Sequence, residues 1–170
     1  MSKKIPTIIL ISSLVWVCAT LLIGSALAKG FKPGTEPDNF GGISWGESIN
    51  SLSDMTFATE YEGAKYYKKK NDKLMIGDAR LSEMMYGFYK DRFYAVIITF
   101  QGRENFERLK TNFFKAYGEG EKPFQLVEEF HWIGENVRLR LVYNEETNKG
   151  NISLYYWPIT EEQLNEMPIP

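Results

Sequence analysis

Glu128-Glu129-Phe130-His131-Trp132 is the stretch of this sequence that comes nearest to catalytic chemistry. Side chains alternate between the two faces of an extended strand, so Glu129 and His131 share one face and Glu128, Phe130 and Trp132 the other. A Glu–His couple can move protons, and a carboxyl set among aromatic rings, as Glu128 would be, is pushed toward its neutral form by desolvation. Adjacent strand residues point apart, however. Glu128 and Glu129 therefore cannot flank one glycosidic bond, and a carboxylate hydrolase would need another acid from elsewhere in the fold. His131 is the only histidine, which excludes a site built on two imidazoles. The plainer reading is a pair of solvated side chains on a wet sheet face.

Two other stretches invite a chemical reading. Phe40–Met55, "FGGISWGESINSLSDM", is rich in glycine but lacks both the dinucleotide spacing and the terminal lysine of a phosphate loop. Ser44 in "GISWG" resembles a nucleophile elbow superficially, yet it has no histidine and acid to work with nearby in the sequence. The expectation is structural: glycines bend the chain while Ile43 and Trp45 anchor it to the core. "KYYKKKNDK", Lys65–Lys73, interleaves tyrosines with lysines and could meet an anionic surface. Against that stands an edge hairpin guarded by lysines from pairing with other chains.

Apolar periodicity sets out the strands and helices around these residues. Strand-like runs cover Thr56–Tyr61, Ala64–Lys70, Leu81–Tyr89, Phe93–Phe100, Leu126–Trp132, Val137–Tyr143 and Ile152–Trp157, separated by turn residues such as Glu62-Gly63 and Lys90-Asp91-Arg92. In Phe93–Phe100 both alternating sets are apolar, Phe93, Ala95 and Ile97 on one side and Tyr94, Val96, Ile98 and Phe100 on the other, as in a central strand covered on both faces. Val137, Leu139, Leu141 and Tyr143 alternate with Arg138 and Arg140, which predicts one buried and one wet side. Phe106, Leu109, Phe113 and Tyr117 recur at helical spacing in Arg103–Tyr117, with Glu104 early, Lys115 late and Gly118 after it. Ile49, Leu52 and Met55 suggest one or two helical turns. Thr160 and Gln163 suggest a capping box for a brief terminal helix carrying Leu164 after Pro158. The expected fold is a single α+β domain: an antiparallel sheet of about six to seven strands with one long helix packed across a face.

The ends and composition bear on location. Lys3 and Lys4 precede an uncharged run, Ile5–Ala28, that ends in an A-x-A pattern, so residues 1–28 read as a signal peptide or, if uncleaved, an N-terminal membrane anchor. Residues 29–39, with glycine, proline and charge, read as a linker, and 40–170 as the domain. Cys18, the one cysteine, lies inside the apolar run, which leaves the domain without disulfides, thiolate nucleophiles or cysteine metal sites. With 20 basic and 22 acidic residues in all, and two of the lysines in the export segment, the domain carries a net charge of about −4, an unpromising balance for nucleic acid.

The export signal together with "FGGISWGESINSLSDM", "KYYKKKNDKLMIGDARL", "YGFYKDRFYAVIITFQG" and "FFKAYGEG" resembles a group of exported proteins of Gram-negative bacteria with an N-terminal G-I-x-W-G motif. The resemblance runs from Phe40 to about Trp157 and implies a periplasmic address without implying an activity. The helix-plus-sheet outline also resembles envelope-assembly lipoproteins of the BamE type, although the lipid-bearing cysteine is missing. The expected function is a non-enzymatic binding or envelope-assembly module acting through a sheet face or edge on a protein or envelope component. Lys65, Tyr67, Lys69, Tyr155 and Trp157 are its candidate binding residues, with no catalytic residues, cofactor, metal or nucleic acid, and membrane contact only through the N-terminal segment. The alternatives are a small cell-envelope hydrolase using carboxylates and a binder of anionic surfaces through the Lys/Tyr hairpin.

Overall fold

Tight turns set the architecture. Glu62 and Gly63 (φ 50° and 73°) and Lys90 and Asp91 (φ 48° and 62°) each form a two-residue turn with both φ values positive, the geometry whose twist matches that of the flanking strands. The first joins β1 (Met55–Tyr61) to β2 (Ala64–Lys69), the second β3 (Glu83–Tyr89) to β4 (Arg92–Gln101). After helix α1 (Arg103–Tyr117), a second meander follows: β5 (Glu128–Ile133), β6 (Val137–Asn144) and β7 (Lys149–Tyr156). Helix α2 (Trp157–Glu166) comes last. The computed structural model describes residues 30–167 of the chain. The export segment expected at 1–28, with Pro168 and Pro170, lies outside the described residues.

The seven strands form one antiparallel sheet in the order β1-β2-β3-β4-β7-β6-β5. Two small ribbons flank it, Asn39–Phe40 with Ile43–Ser44 and Met75–Ile76 with Ala79–Arg80. The turns suggested around Ile49 are a short 3-10 stretch, Ile49–Ser51, capped by the Ser48 hydroxyl accepting from the Asn50 amide at 3.2 Å.

Helix α1, 15 residues long, begins and ends as its sequence predicts, with the Gly118 amide donating to the Phe114 carbonyl. Phe106, Leu109 and Phe113 bury themselves among Tyr86, Phe93, Val96, Ile98, Phe100, Leu139, Leu141, Tyr143 and Ile152. Rings meet in stacked or edge contacts, Phe106 on Tyr143 at 5.0 Å and Phe113 on Trp132 at 5.8 Å. Trp45 lies flat on Phe93 at 4.9 Å and donates from Nε1 to the Pro37 carbonyl, which is the anchoring role expected of it. Where composition suggests a linker before the domain, the chain is tied down: the Lys32 amide donates to the Tyr117 carbonyl, and the Glu36 carboxylate accepts from the amides of Glu135, Asn136 and Val137 at 2.6–2.9 Å.

The opposite face is covered at one end by α2. Ile159 seats on Tyr94, Ala95, Ala64 and Tyr89, with Tyr66 and Tyr155 at the margin. Gln163 donates to the Glu62 carbonyl, and Glu162 and Glu166 bond Arg92, Lys90 and Tyr89.

Three expectations change. Strict alternation puts Phe93 with Ala95, but the register runs Phe88↔Phe93 and Gly87↔Ala95, leaving Tyr94 as an extra residue. The bulge shifts the parity, so Phe93 joins Val96, Ile98 and Phe100 under α1, while Tyr94 and Ala95 lie under α2. Trp157 belongs to α2 and not to the last strand, because Pro158 is favourable in the first helical turn. No capping box forms there: the Thr160 hydroxyl donates to the Tyr156 carbonyl, and Leu164 is exposed while Ile159 and Gln163 are buried.

Gly87 is where the bulge, the tyrosines and α2 meet. A Cβ there would stand 2.9 Å from the Ala95 Cβ and 2.9 Å from the Tyr66 ring. Both neighbours are held, one by the backbone and one by packing, so Gly87→Ala is expected to destabilise the domain by about 1–3 kcal/mol, measurable in urea melts. Gly42→Ala, which meets open space but has φ 81°, tests backbone strain without overpacking.

Candidate functional site

The chemically suggestive residues do not converge. Glu129 and His131 do share the face away from α1, with His131 Nε2 2.6 Å from Glu129 Oε1 and Arg140 Nε donating to the same oxygen at 2.7 Å. Strand pairing explains the trio: Arg140 stands directly across from His131, and Val142 from Glu129. The Glu129 carboxyl is held below the usual carboxylate range, chiefly by the Arg140 hydrogen bond, against the opposing effect of its burial. A carboxylate so held is a poor proton donor at neutral pH. Ser153, across from Arg140 on its other side, is separated from His131 by the whole width of β6, too far for a serine to pass its proton to the imidazole.

Glu128 points the other way, between Arg103 at 3.7 Å and Lys122 at 3.6 Å. The two carboxylates therefore lie on opposite faces, as alternation predicts. Ser44 stands in a two-residue strand paired with Asn39, and its amide donates to Glu47. The G-x-S-x-G spacing of Gly42–Gly46 is not set on the strand-to-helix turn that exposes a nucleophile. Among the described residues no group of three or more His, Cys, Asp or Glu could hold a metal ion, and no helix is long and apolar enough to cross a membrane.

The five candidate binding residues fall in three places. Lys65, Tyr67 and Lys69 alternate along β2 on the α1 side of the sheet. Tyr67 is part of the core there, its ring edge-on to Phe57 at 5.8 Å and to Phe88 at 5.4 Å. Lys69 lies 3.9 Å from Asp54 and Lys68, on the other face, 2.6 Å from Glu83, so two charges of the basic run already have acidic partners. Tyr155 sits on the opposite face beside Tyr94, ring centres 6.3 Å apart, where burial pushes its phenol up. Trp157 opens α2 with the Arg138 guanidinium over its ring at 5.0 Å. Tyr67 and Tyr155 cannot touch one ligand through the sheet.

What sequence reasoning missed is the difference between the two sheet edges. At the β5 edge, Glu121 and His131 exchange amide-to-carbonyl hydrogen bonds of 2.8 Å in both directions, so the segment after α1 closes the middle of that edge. At the β1 edge no strand lies beyond among the described residues. Every residue from Thr56 to Tyr61 is exposed, including Phe57 at 56% and Tyr61 at 64%. The register with β2, and the Lys70 amide bonded to the Asp54 carbonyl, fix which backbone groups are spoken for. Thr56 and Tyr61 turn theirs toward β2, while Met55, Phe57 and Glu60 present N–H and C=O outward. A bulge between Phe57 and Thr59 keeps Phe57 and Glu60, three residues apart, facing the same way.

Compared with protein-family models, curated proteins and solved structures, the chain matches none.

The Glu129–Arg140 contact predicts a pH effect. A carboxyl whose folded pKa is depressed adds stability that is present above its ordinary value of 4.5 and is lost as pH falls through the folded pKa. Arg140→Met removes the main cause of that depression. The variant should melt below the wild type at pH 7, and the gap should close as pH drops below 4.5, read by thermal melts between pH 7 and pH 3.

Proposed function

We propose that the chain is a non-enzymatic binding module of the periplasm that takes up an extended segment of a protein partner along the free edge of β1. The observation that carries this reading is the unequal treatment of the two edges: one is closed at its middle by Glu121, the other is bare from Thr56 to Tyr61 with two large side chains in water. An uncovered edge is a template for strand addition, and the protections this one carries, the Glu60 charge and the bulge after Phe57, leave the backbone groups of Met55, Phe57 and Glu60 facing outward. The α+β scaffold, with α1 laid across one face, supplies a rigid sheet that needs no rearrangement to accept another strand. The periplasmic address is supported by the export pattern of residues 1–28.

The other readings draw less support. A hydrolase would need a carboxylic acid poised to give up a proton, whereas Glu129 is held ionised and Glu128 stands between two cations. A surface binder acting through Lys65–Lys73 would work with a charge already partly neutralised by Glu83 and Asp54.

Proline tests the edge because it removes one amide donor at a chosen position. Phe57→Pro deletes an outward N–H and should leave the melting temperature within a few degrees of wild type while abolishing partner capture. Thr56→Pro deletes an inward N–H and orphans the Lys68 carbonyl, costing about 1–3 kcal/mol. Capture is read with a photo-crosslinking residue at Tyr61 in the living periplasm. Recovery of the same crosslinked protein from wild type and Phe57→Pro would sink the proposal.

A further inference from the structure

The edge also specifies what kind of strand it takes. Resting on the edge reading above, we infer that the partner of β1 is an extended polypeptide segment of another protein that sets a lysine or arginine opposite Glu60 and a large apolar residue opposite Phe57, on the same face.

The argument starts from the charge along the strand. Asp54, Glu60 and Glu62 lie in or beside β1, and the lysines of the hairpin stand one strand behind it. Asp54 has Lys69 at 3.9 Å. Glu60 has Lys65 directly across the ladder, yet none of the ion pairs among the described residues involves Glu60. An incoming strand meets the side chains of β1 first, at about 4.5–5.5 Å between opposed Cβ atoms, and opposite charges there attract while like charges repel. Glu60 therefore asks for a cation.

The apolar half of the argument is Phe57. The residue is 56% exposed, and its ring packs edge-on against Tyr67 on the α1 side. A large side chain on the added strand would cover the free side of that ring and extend the aromatic row Phe57, Tyr67, Phe88 outward by one strand. Because Phe57 and Glu60 both present their backbone outward, the two side-chain requirements come with main-chain pairing at the same residues.

A second copy of the chain fits these requirements poorly. Antiparallel self-pairing centred on Phe57 sets Asp54 of one copy against Glu60 of the other, and pairing centred on Glu60 sets that carboxylate against itself. The intermediate register, Phe57 against Glu60, faces a ring with a charge. Each loses what a cationic, apolar strand would gain.

The test uses the isotope-labelled full chain and two nine-residue peptides, blocked at both ends and built of alternating Thr and Val. One carries Lys and Phe two positions apart, the other Glu in place of Lys. Titration of the first should move the amide signals of Met55, Phe57 and Glu60, and it should bind about five- to tenfold more tightly than the second. Glu60→Lys, at an exposed position with Lys65 across the ladder, should reverse the preference. Equal binding of both peptides at β1, or an unchanged preference in Glu60→Lys, would overturn the inference while leaving the edge reading intact. No movement of any β1 amide with either peptide would overturn both. Shifts at the amides of β5 instead would place the docking edge on the wrong side of the sheet.

Discussion

The pairing of β4 with β7 joins two meanders that are otherwise separate, and the remaining structure is arranged around that seam. Ala95–Gln101 lies against Lys149–Tyr155, and closing it brings together residues separated by the whole of α1, β5 and β6. The entropy of closing a long loop grows only slowly with its length, but it has to be met by burial at the seam itself. Val96, Ile98, Phe100, Ile152 and Leu154 supply that on one side, and Tyr94, Ala95 and Tyr155 on the other. Helix α1 starts immediately after β4 and falls back over the seam, so the residues that close the loop are also those that seat the helix.

The seam decides which strands become edges. Because β7 returns to β4, β5 is carried to the far side of the sheet and β1 is left outermost on the near side. The two edges are then handled differently. The chain leaving α1 has to pass β5 on its way into that strand, and Glu121 bonds it in passing. Among the described residues nothing passes β1, whose neighbours in sequence are a tight turn on one side and the Ser48–Asp54 stretch on the other.

Much of this is legible in the sequence, and the exceptions have physical causes. Arg103–Tyr117 is readable to the residue because periodicity, dipole charges and a terminal glycine agree. The alternation of Val137–Tyr143 is readable because one face is wet and one dry. Phe93–Phe100 has two apolar faces, so alternation carries no information about parity, and the bulge at Tyr94 leaves no mark in residue types. Trp157 fails as a strand residue because a proline next to it fits the end of a strand or the start of a helix equally well. Tyr67 and Tyr155 are assigned one face only if register is known, and register between distant strands is a property of the fold. Edge status is harder still. The β1 run looks no different from an inner strand until the partner of β7 is known, although its Thr, Glu and Tyr content, with only one ring between Thr56 and Glu60, was a usable signal.

Magnitudes limit what an open edge of this length can do. A strand added along Met55–Glu60 gains a few main-chain hydrogen bonds, each about 0.5–1.5 kcal/mol net. Fixing each residue of a flexible partner costs about 1–2 kcal/mol. Backbone pairing alone is therefore close to balance, and a sequence-blind edge would hold nothing for long. The difference has to come from side chains, at roughly 25 cal/mol for each Å² of apolar surface covered and about 0.2–1 kcal/mol for each favourable cross-strand pair. Phe57, Glu60 and Tyr61 are the positions on β1 with that surface and charge to offer. The same arithmetic explains how a bare edge persists in this domain: chains that cannot match those three residues gain too little to stay.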